Sequence, residues 1–355
     1  MKLSNIRKKL KEIYLDVYFK LKPFEYKKGN KILLTVTDGL GDNIVREKLL
    51  RKFLEEYGND RVIVMCVEKT KSFLEKLGFN NIIIYSSSHR KRIKGKIELI
   101  NKIASLGIEK IVSLEFDQHD IYVKYIKNVE KIGYFNKFNT KYNKYYNKII
   151  NFERENYILE QVKNFYNEYF NKNLTLNGIL PDISNMYGKS EKYKNVISFG
   201  IGSADRKKML CSDKVVEIII TLNKTSKNKI ILLGKGELEE KLVNEIKTKI
   251  KLEKYNVINL VNKLSLTETL EIINSAKIYL GVDSGLYNFA FGFRKKILAF
   301  FGQKNSFSHD KFENVRIIYG NSENREENYF GTKLLNSIEI DYEDLKKFLV
   351  GENDE

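Results

Sequence analysis

What most constrains this chain is an alternation that runs through it twice. Short, continuously apolar runs alternate with longer segments whose apolar residues recur at helical spacing. Residues 31–37, Lys-Ile-Leu-Leu-Thr-Val-Thr, read as a buried strand that enters Asp38-Gly-Leu-Gly-Asp42 and then a helix at 43–57. Strands at 61–67, 81–85 and 110–115 follow, separated by helices at 69–77 and 94–106. Residues 134–152, rich in Tyr, Asn and Lys, read as a polar loop with a late strand, and a helix at 155–170 closes the first half. The second half repeats the pattern, with strands at 196–199, 229–233, 257–260, 277–282 and 296–301, the last one clear. Helices are expected there at 213–222, 237–250, 265–274 and 285–292. Such alternation predicts mostly parallel sheets with helices on both faces. A chain of 355 residues is too long for one comfortable core.

The expected organisation is a basic N-terminal helix at 1–28, an α/β domain at 29–178 and a linker at 179–194, within the aperiodic stretch 173–194 that holds Gly178, Pro181, Gly188 and Ser190. A second α/β domain follows at 195–340, then a C-terminal helix and tail at 341–355. In the first helix Leu3, Ile6, Leu10, Ile13, Val17 and Leu21 share one face, while Lys2, Arg7, Lys8, Lys9, Lys11 and Lys20 occupy the other. That helix either docks its apolar face on the following domain or rests on anionic lipid.

Composition narrows the function classes. No run reaches the eighteen apolar residues of a spanning helix, and lysines and Arg7 interrupt any signal core. A cytoplasmic protein is expected, at the inner face of the membrane if the first helix binds lipid. Cys66 and Cys211 lack metal-ligand spacing and read as buried free thiols. The net charge of +17 favours anionic partners, although Lys, Asn, Ile and Tyr are abundant together as in a compositionally biased genome. No nucleic-acid motif accompanies the charge, so a nucleic-acid partner is not expected.

Three segments lie where a strand gives way to a helix, the position at which backbone N–H groups and the helix dipole attract anions. In Thr37-Asp-Gly-Leu-Gly-Asp-Asn43, glycines permit a tight turn and Asp42 enters the first helical turn, as an N-cap or as a general base aimed at a substrate hydroxyl. In Gly200-Ile-Gly-Ser-Ala-Asp-Arg-Lys-Lys208, small residues followed by cations suit a diphosphate. In Gly281-Val-Asp-Ser-Gly-Leu-Tyr-Asn288, Ser284 and Gly285 can offer N–H groups, while Asp283 can accept from a sugar hydroxyl or fix the loop. The basic run His89-Arg-Lys-Arg-Ile-Lys-Gly-Lys96 also follows a strand.

Taken in order, Asp38-Gly-Leu-Gly-Asp42, Lys208-Met-Leu210, Leu232-Leu-Gly-Lys-Gly-Glu237, Asn259-Leu-Val-Asn-Lys-Leu-Ser-Leu266, Tyr279-Leu-Gly-Val-Asp-Ser-Gly-Leu286 and Ile297-Leu-Ala-Phe-Phe-Gly302 resemble glycosyltransferase family 9, the lipopolysaccharide heptosyltransferases. The resemblance spans about residues 31–302. It implies a GT-B fold, two Rossmann-like domains facing a central cleft, and inverting sugar transfer without a metal or a cofactor. The co-substrate would be a nucleotide sugar, ADP-linked if the heptosyltransferase likeness extends to the donor. The acceptor would be an anionic glycan or glycolipid such as the lipopolysaccharide core.

By the same resemblance Asp42 is the catalytic base, and Gly41, Arg90 and Arg92 meet the acceptor. Lys208 serves the donor phosphate, and Glu237 lies near the nucleotide ribose. Gly202, Ser203, Asp283, Ser284, Gly285 and Asn288 complete the donor site. Asn288 stands where the family usually has His, and Leu210 where it has Trp, which leaves the donor sugar open. The other readings are a degenerate member that binds glycan or acts as a scaffold, and a nucleotide-binding oxidoreductase. The missing G-x-G-x-x-G counts against the oxidoreductase.

Overall fold

A computed structural model describes residues 3–115, 121–134, 140–150, 157–226, 228–320, 338 and 341–350. The chain divides into two compact units, Met1–Arg154 with Leu159–Ile179, and Glu155–Ile158 with Leu180–Glu355.

The first unit is built on β1 (Lys31–Val36), β2 (Val62–Cys66), β3 (Ile82–Ile84), β4 (Ile108–Ser113), β5 (Glu130–Tyr134) and β6 (Lys148–Ile150). They form one sheet in the order β3-β2-β1-β4-β5-β6, every pair parallel. Helices α1 (Leu3–Leu21), α2 (Leu40–Val45), α3 (Glu47–Tyr57), α4 (Glu68–Leu77), α5 (Ser87–Lys91), α6 (Ile93–Ser105), α7 (Ile121–Tyr125) and α8 (Ile158–Phe170) accompany it. Strand β2 is apolar throughout because both faces of the sheet are covered there; all five of its residues are buried. Helix α8 sets Phe165 against Tyr134 of β5, and its Tyr169 and Phe170 against Phe53 of α3.

The second unit repeats the plan with β7 (Val196–Gly200), β8 (Lys229–Leu233), β9 (Val257–Asn259), β10 (Ile278–Val282), β11 (Lys296–Phe301) and β12 (Val315–Tyr319). Their order is β12-β11-β10-β7-β8-β9, again all parallel. Its helices are α9 (Ser212–Thr225), α10 (Glu237–Lys249), α11 (Leu266–Ser275), α12 (Gly285–Gly292) and α13 (Tyr342–Val350). Leu345 and Leu349 of α13 are buried in this unit's core. Each sheet has the doubly wound order in which the chain reverses direction beside its first strand. The reversal falls between β1 and β4 in one unit and between β7 and β10 in the other.

Several boundaries differ from the sequence expectation. The helix expected at 43–57 is two helices, broken at Arg46, whose guanidinium is turned inward and fully buried. Strand β5 and helix α7 were not anticipated; each has five residues, too few to display a period. Nor was β12, which extends the sheet beyond β11 although its second residue, Arg316, is charged. Within 134–152, residues 140–145 form a 3₁₀ turn and 148–150 a strand, while 135–139 and 151–152 lie outside the described residues, as do 155–156 of the expected helix and the tail at 351–355.

Residues 180–194, expected in a linker, pack onto the second unit. The buried Asn274 amide donates to the carbonyls of Ser184, Tyr187 and Gly188, and the Tyr187 ring meets Phe289 and Phe293. Cys66 is buried, its thiol pushed up to about 12 by enclosure, whereas Cys211 is half-buried; both are free.

Helix α1 belongs to the first unit but is attached by the side opposite its apolar stripe. Leu15 is fully buried, and Phe19 packs against Phe24 and Tyr125. Of the apolar face read from sequence, which was to meet either the domain or lipid, Ile6, Leu10, Ile13, Val17 and Leu21 are exposed, and the Leu3 side chain lies outside what is described. Among the described residues no helix is long and apolar enough to cross a membrane.

Candidate active site

In each unit, the residues nominated by sequence gather at the carboxyl edge of the sheet, beside the reversal point where such sheets bind ligands. In the first unit β1 ends in Thr37-Asp38-Gly39 and passes into α2, with Asp42 in its first turn. Gly39 precedes the helix without a side-chain cap, and a Cβ there would lie 2.6 Å from Asp42 Oδ2. Glycine therefore leaves the space into which the carboxylate folds back over the turn. Enclosure pushes the Asp42 carboxyl up to about 6; nearby Asp38 adds to the rise, while Arg46 and the N–H groups of Gly39 and Asp42 oppose it. The ordinary carboxylate range expected for a residue at a helix N-terminus is thus overridden by burial.

The supporting groups were not visible in sequence. Asn43 is buried and donates to the carbonyls of Val36 and Gly39, which fixes the turn. Arg46 Nη1 donates to Asn43 Oδ1 at 3.3 Å and Arg46 Nη2 to Asp38 Oδ2 at 2.5 Å. Asp38 is thereby ion-paired, while enclosure brings the proton-accepting range of Asp42 nearer to neutrality. Across the reversal point, the Thr37 hydroxyl donates to Glu115 Oε1 at 2.7 Å, from a buried glutamate just beyond β4. Gly41 lies part-exposed in α2. Arg90 and Arg92 are exposed at the end of α5, after the edge strand β3 and on the same edge of the parallel sheet as Asp42. His89 is occupied in the capping box of α5 with Ser86.

In the second unit, the loops after β7 and β10 are joined directly. Ser203 Oγ donates to the Asp283 carbonyl at 3.1 Å, and Lys208 Nζ pairs with Asp283 Oδ2 at 2.7 Å. Asn305, from the loop after β11, donates to the same Oδ2 at 3.0 Å. Asp283 fixes the loop and holds Lys208 beside it. Ser284 caps α12 through the Tyr287 N–H, and Gly285 opens the helix with free space where a Cβ would be. The buried Asn288 donates to the Ser284 carbonyl at 3.4 Å. Beneath the loops, the fully buried Tyr279 hydroxyl occupies space beside Gly200 and Gly281, where a Cβ at either position would lie within 2.4 Å of it.

Glu237 is exposed in the first turn of α10. The carboxylate that reaches the loops is that of Glu239, which is buried against three glycines; a Cβ at Gly202 would fall 2.1 Å from its Oε1, and one at Gly236 2.6 Å from its Oε2. Gly236 has φ +144, a conformation other residues rarely adopt, and Asn262 clasps its N–H and carbonyl. His309 is fully buried against Phe291 and hydrogen-bonded to Tyr157, and burial lowers it to about 3, so it remains neutral and structural. Among the described residues no group of three His, Cys, Asp or Glu side chains is arranged to hold a metal ion.

Residues 123–333 match the model of glycosyltransferase family 9 (heptosyltransferase). No curated protein sequence matches the chain. Among solved structures, the Escherichia coli heptosyltransferase WaaC with ADP-2-deoxy-2-fluoro heptose is similar at TM-score 0.66 and 14% identity, over 90% of this chain and 98% of that one. The E. coli ADP-heptose lps heptosyltransferase II gives 0.62 at 16% identity, over 91% and 99%. A family 9 glycosyltransferase from Veillonella parvula gives 0.68 at 14% identity, over 92% and 99%. At these identities the likeness is one of fold.

Proposed function

The chain belongs to glycosyltransferase family 9, with a GT-B fold of two Rossmann-like units, and from that footing we propose that it moves a sugar from a nucleotide diphosphate donor to a hydroxyl of an anionic glycan or glycolipid, with inversion and without a metal. An ADP-linked heptose is the donor we favour, in keeping with the ligand named for the E. coli WaaC structure. The acceptor we favour is a lipopolysaccharide core sugar. The observation that carries the reading is the junction of Lys208, Ser203 and Asp283 across the reversal point of the second sheet, next to the capped N-terminus of α12.

The chemistry follows from these groups. The acceptor oxygen attacks the anomeric carbon, its proton passes to Asp42, and the carbon–oxygen bond to the diphosphate breaks with its electron pair leaving on phosphate. A carboxyl near 6 is ionised at neutral pH yet basic enough to take a proton in the transition state. Lys208 and the N–H groups opening α12 oppose the charge growing on the departing diphosphate. Asp283 aligns Lys208, whose side chain stays about half exposed and so open to the ligand. Glu239, rather than the exposed Glu237, is the carboxylate we assign to the nucleotide ribose, because among the described residues no donor occupies it. Arg90 and Arg92 would attract the acceptor's negative charge.

The test is a pair of variants read on two axes. Lys208→Ala should abolish thermal stabilisation by ADP or an ADP-sugar and lower turnover by an amount equivalent to roughly 2–4 kcal/mol. Asp42→Asn should keep that stabilisation and lose turnover. Wild-type behaviour of Lys208→Ala on both axes would refute the donor site.

A further inference from the structure

Helix α1 presents an amphipathic surface that the first unit does not use. One side is bound to the unit: Leu15 and Phe19 are packed, and Lys11 donates to the Lys91 carbonyl. The only acids of Leu3–Leu21 lie on that side as well. Glu12 accepts from Tyr142 and Lys141, and Asp16 accepts from Tyr125 at 2.8 Å and from Lys124. On the opposite side Ile6, Leu10, Ile13, Tyr14, Val17 and Leu21 are between 39% and 75% exposed. At 100° per residue these six fall within an arc of about 100°, a continuous stripe rather than scattered apolar positions. Exposed Arg7 borders the stripe on one flank and exposed Lys9 and Lys20 on the other.

We propose that this stripe is a membrane-surface anchor that enters the headgroup region of a bilayer carrying anionic lipid. Water is a poor neighbour for so large a contiguous apolar surface. The fold also pairs both acids with groups of the unit, Asp16 while still part-exposed, so the outward surface is apolar at the centre and cationic at the rims. That is the charge pattern of a helix lying in an anionic interface. A second copy of the chain fits less well, because a two-fold contact through the stripe would bring the rims of Arg7, Lys9 and Lys20 against their own counterparts. The anchor goes beyond the sugar-transfer reading and does not depend on it.

The full chain is incubated with vesicles of phosphatidylcholine alone or mixed with phosphatidylglycerol, with neither donor nor acceptor present, and sedimented. Wild type should bind the mixed vesicles and lose binding at high salt, where the attraction is screened. Leu10→Glu with Val17→Glu should weaken partitioning by about 100-fold or more. Arg7→Glu, Lys9→Glu and Lys20→Glu together should weaken it on the order of 100-fold. All five side chains are exposed, so both variants should melt with wild type. Failure of wild type to bind, or binding by both variants equal to wild type, overturns the proposal. So does a wild-type dimer in sedimentation that Leu10→Glu with Val17→Glu dissociates and that ignores vesicles.

Discussion

In the mechanism we propose, Asp42 carries a stability cost together with its role as base. Its folded pKa, about 6, lies above the ordinary value of 3.8, so folding favours its protonated form. The stability it contributes is complete below about pH 4 and is lost as pH rises through 6, a cost on the order of 2–3 kcal/mol at neutral pH. Asp42→Asn should therefore raise the melting temperature at pH 8 and leave it unchanged near pH 4, while turnover falls at least about a hundredfold. Equal melting of the two proteins at pH 8 would show that enclosure does not burden this carboxylate. The acid limb of the turnover profile should lie near pH 6, not near 4, since the base must be ionised. Arg46 opposes that shift and pairs with Asp38 from a fully buried position. Arg46→Met should destabilise the fold by about 3–5 kcal/mol, because it removes the buried cation that pairs with Asp38, and should move the acid limb upward. A profile unmoved by Arg46→Met in protein that remains folded would break the link between the two groups.

At the scale of elements, the turn between β1 and α2 is held open for the carboxylate by Gly39. In Gly39→Ala the new methyl would sit 2.6 Å from Asp42 Oδ2, so the carboxylate must swing away. Turnover should fall by roughly a hundredfold, the scale of a misplacement of about 1 Å, with donor-induced thermal stabilisation intact. Unchanged turnover in Gly39→Ala would mean that this position of the carboxylate is not the productive one. Helix α1 has two duties that a deletion confounds. Removing residues 1–27 should cost at least about 2–3 kcal/mol from the site of Leu15 alone, beyond the loss of the Glu12 and Asp16 hydrogen bonds. A melting temperature equal to wild type would show instead that the helix is only laid against the unit. Point substitutions on the outward stripe separate the two duties, since they touch none of the docking contacts.

Across the whole molecule, the charge that develops during reaction is met by protein groups in our reading. Turnover should then survive a chelator in excess of any divalent ion, and loss of activity restored by magnesium or manganese would overturn the metal-free mechanism. The repeat of one sheet order in both units explains why nominated residues cluster at all. Every strand in a parallel sheet ends on the same edge, so a residue placed just after an apolar run reaches that edge whichever strand bears it.

That rule is why so much was legible in the sequence. Lys-Ile-Leu-Leu-Thr-Val followed by Gly-Leu-Gly-Asp, and Tyr-Leu-Gly-Val followed by Asp-Ser-Gly, encode a covered strand, a tight turn and a helix start within a dozen residues, and local physics suffices to read them. What the sequence left open depends on which strands and faces become neighbours. Glu115 meets Thr37 because β4 lies beside β1, with 78 positions of chain between them, and Asn305 meets Asp283 because the loops after β10 and β11 are adjacent. Glu239 rather than Glu237 turns toward Gly202 because two residues of helix rotate a side chain by about 200°, and packing selects which one faces inward. The periodicity of α1 defined its apolar stripe, yet a period carries no direction. Only the pocket filled by Leu15, and the partners waiting for Glu12 and Asp16, decided that the stripe faces outward.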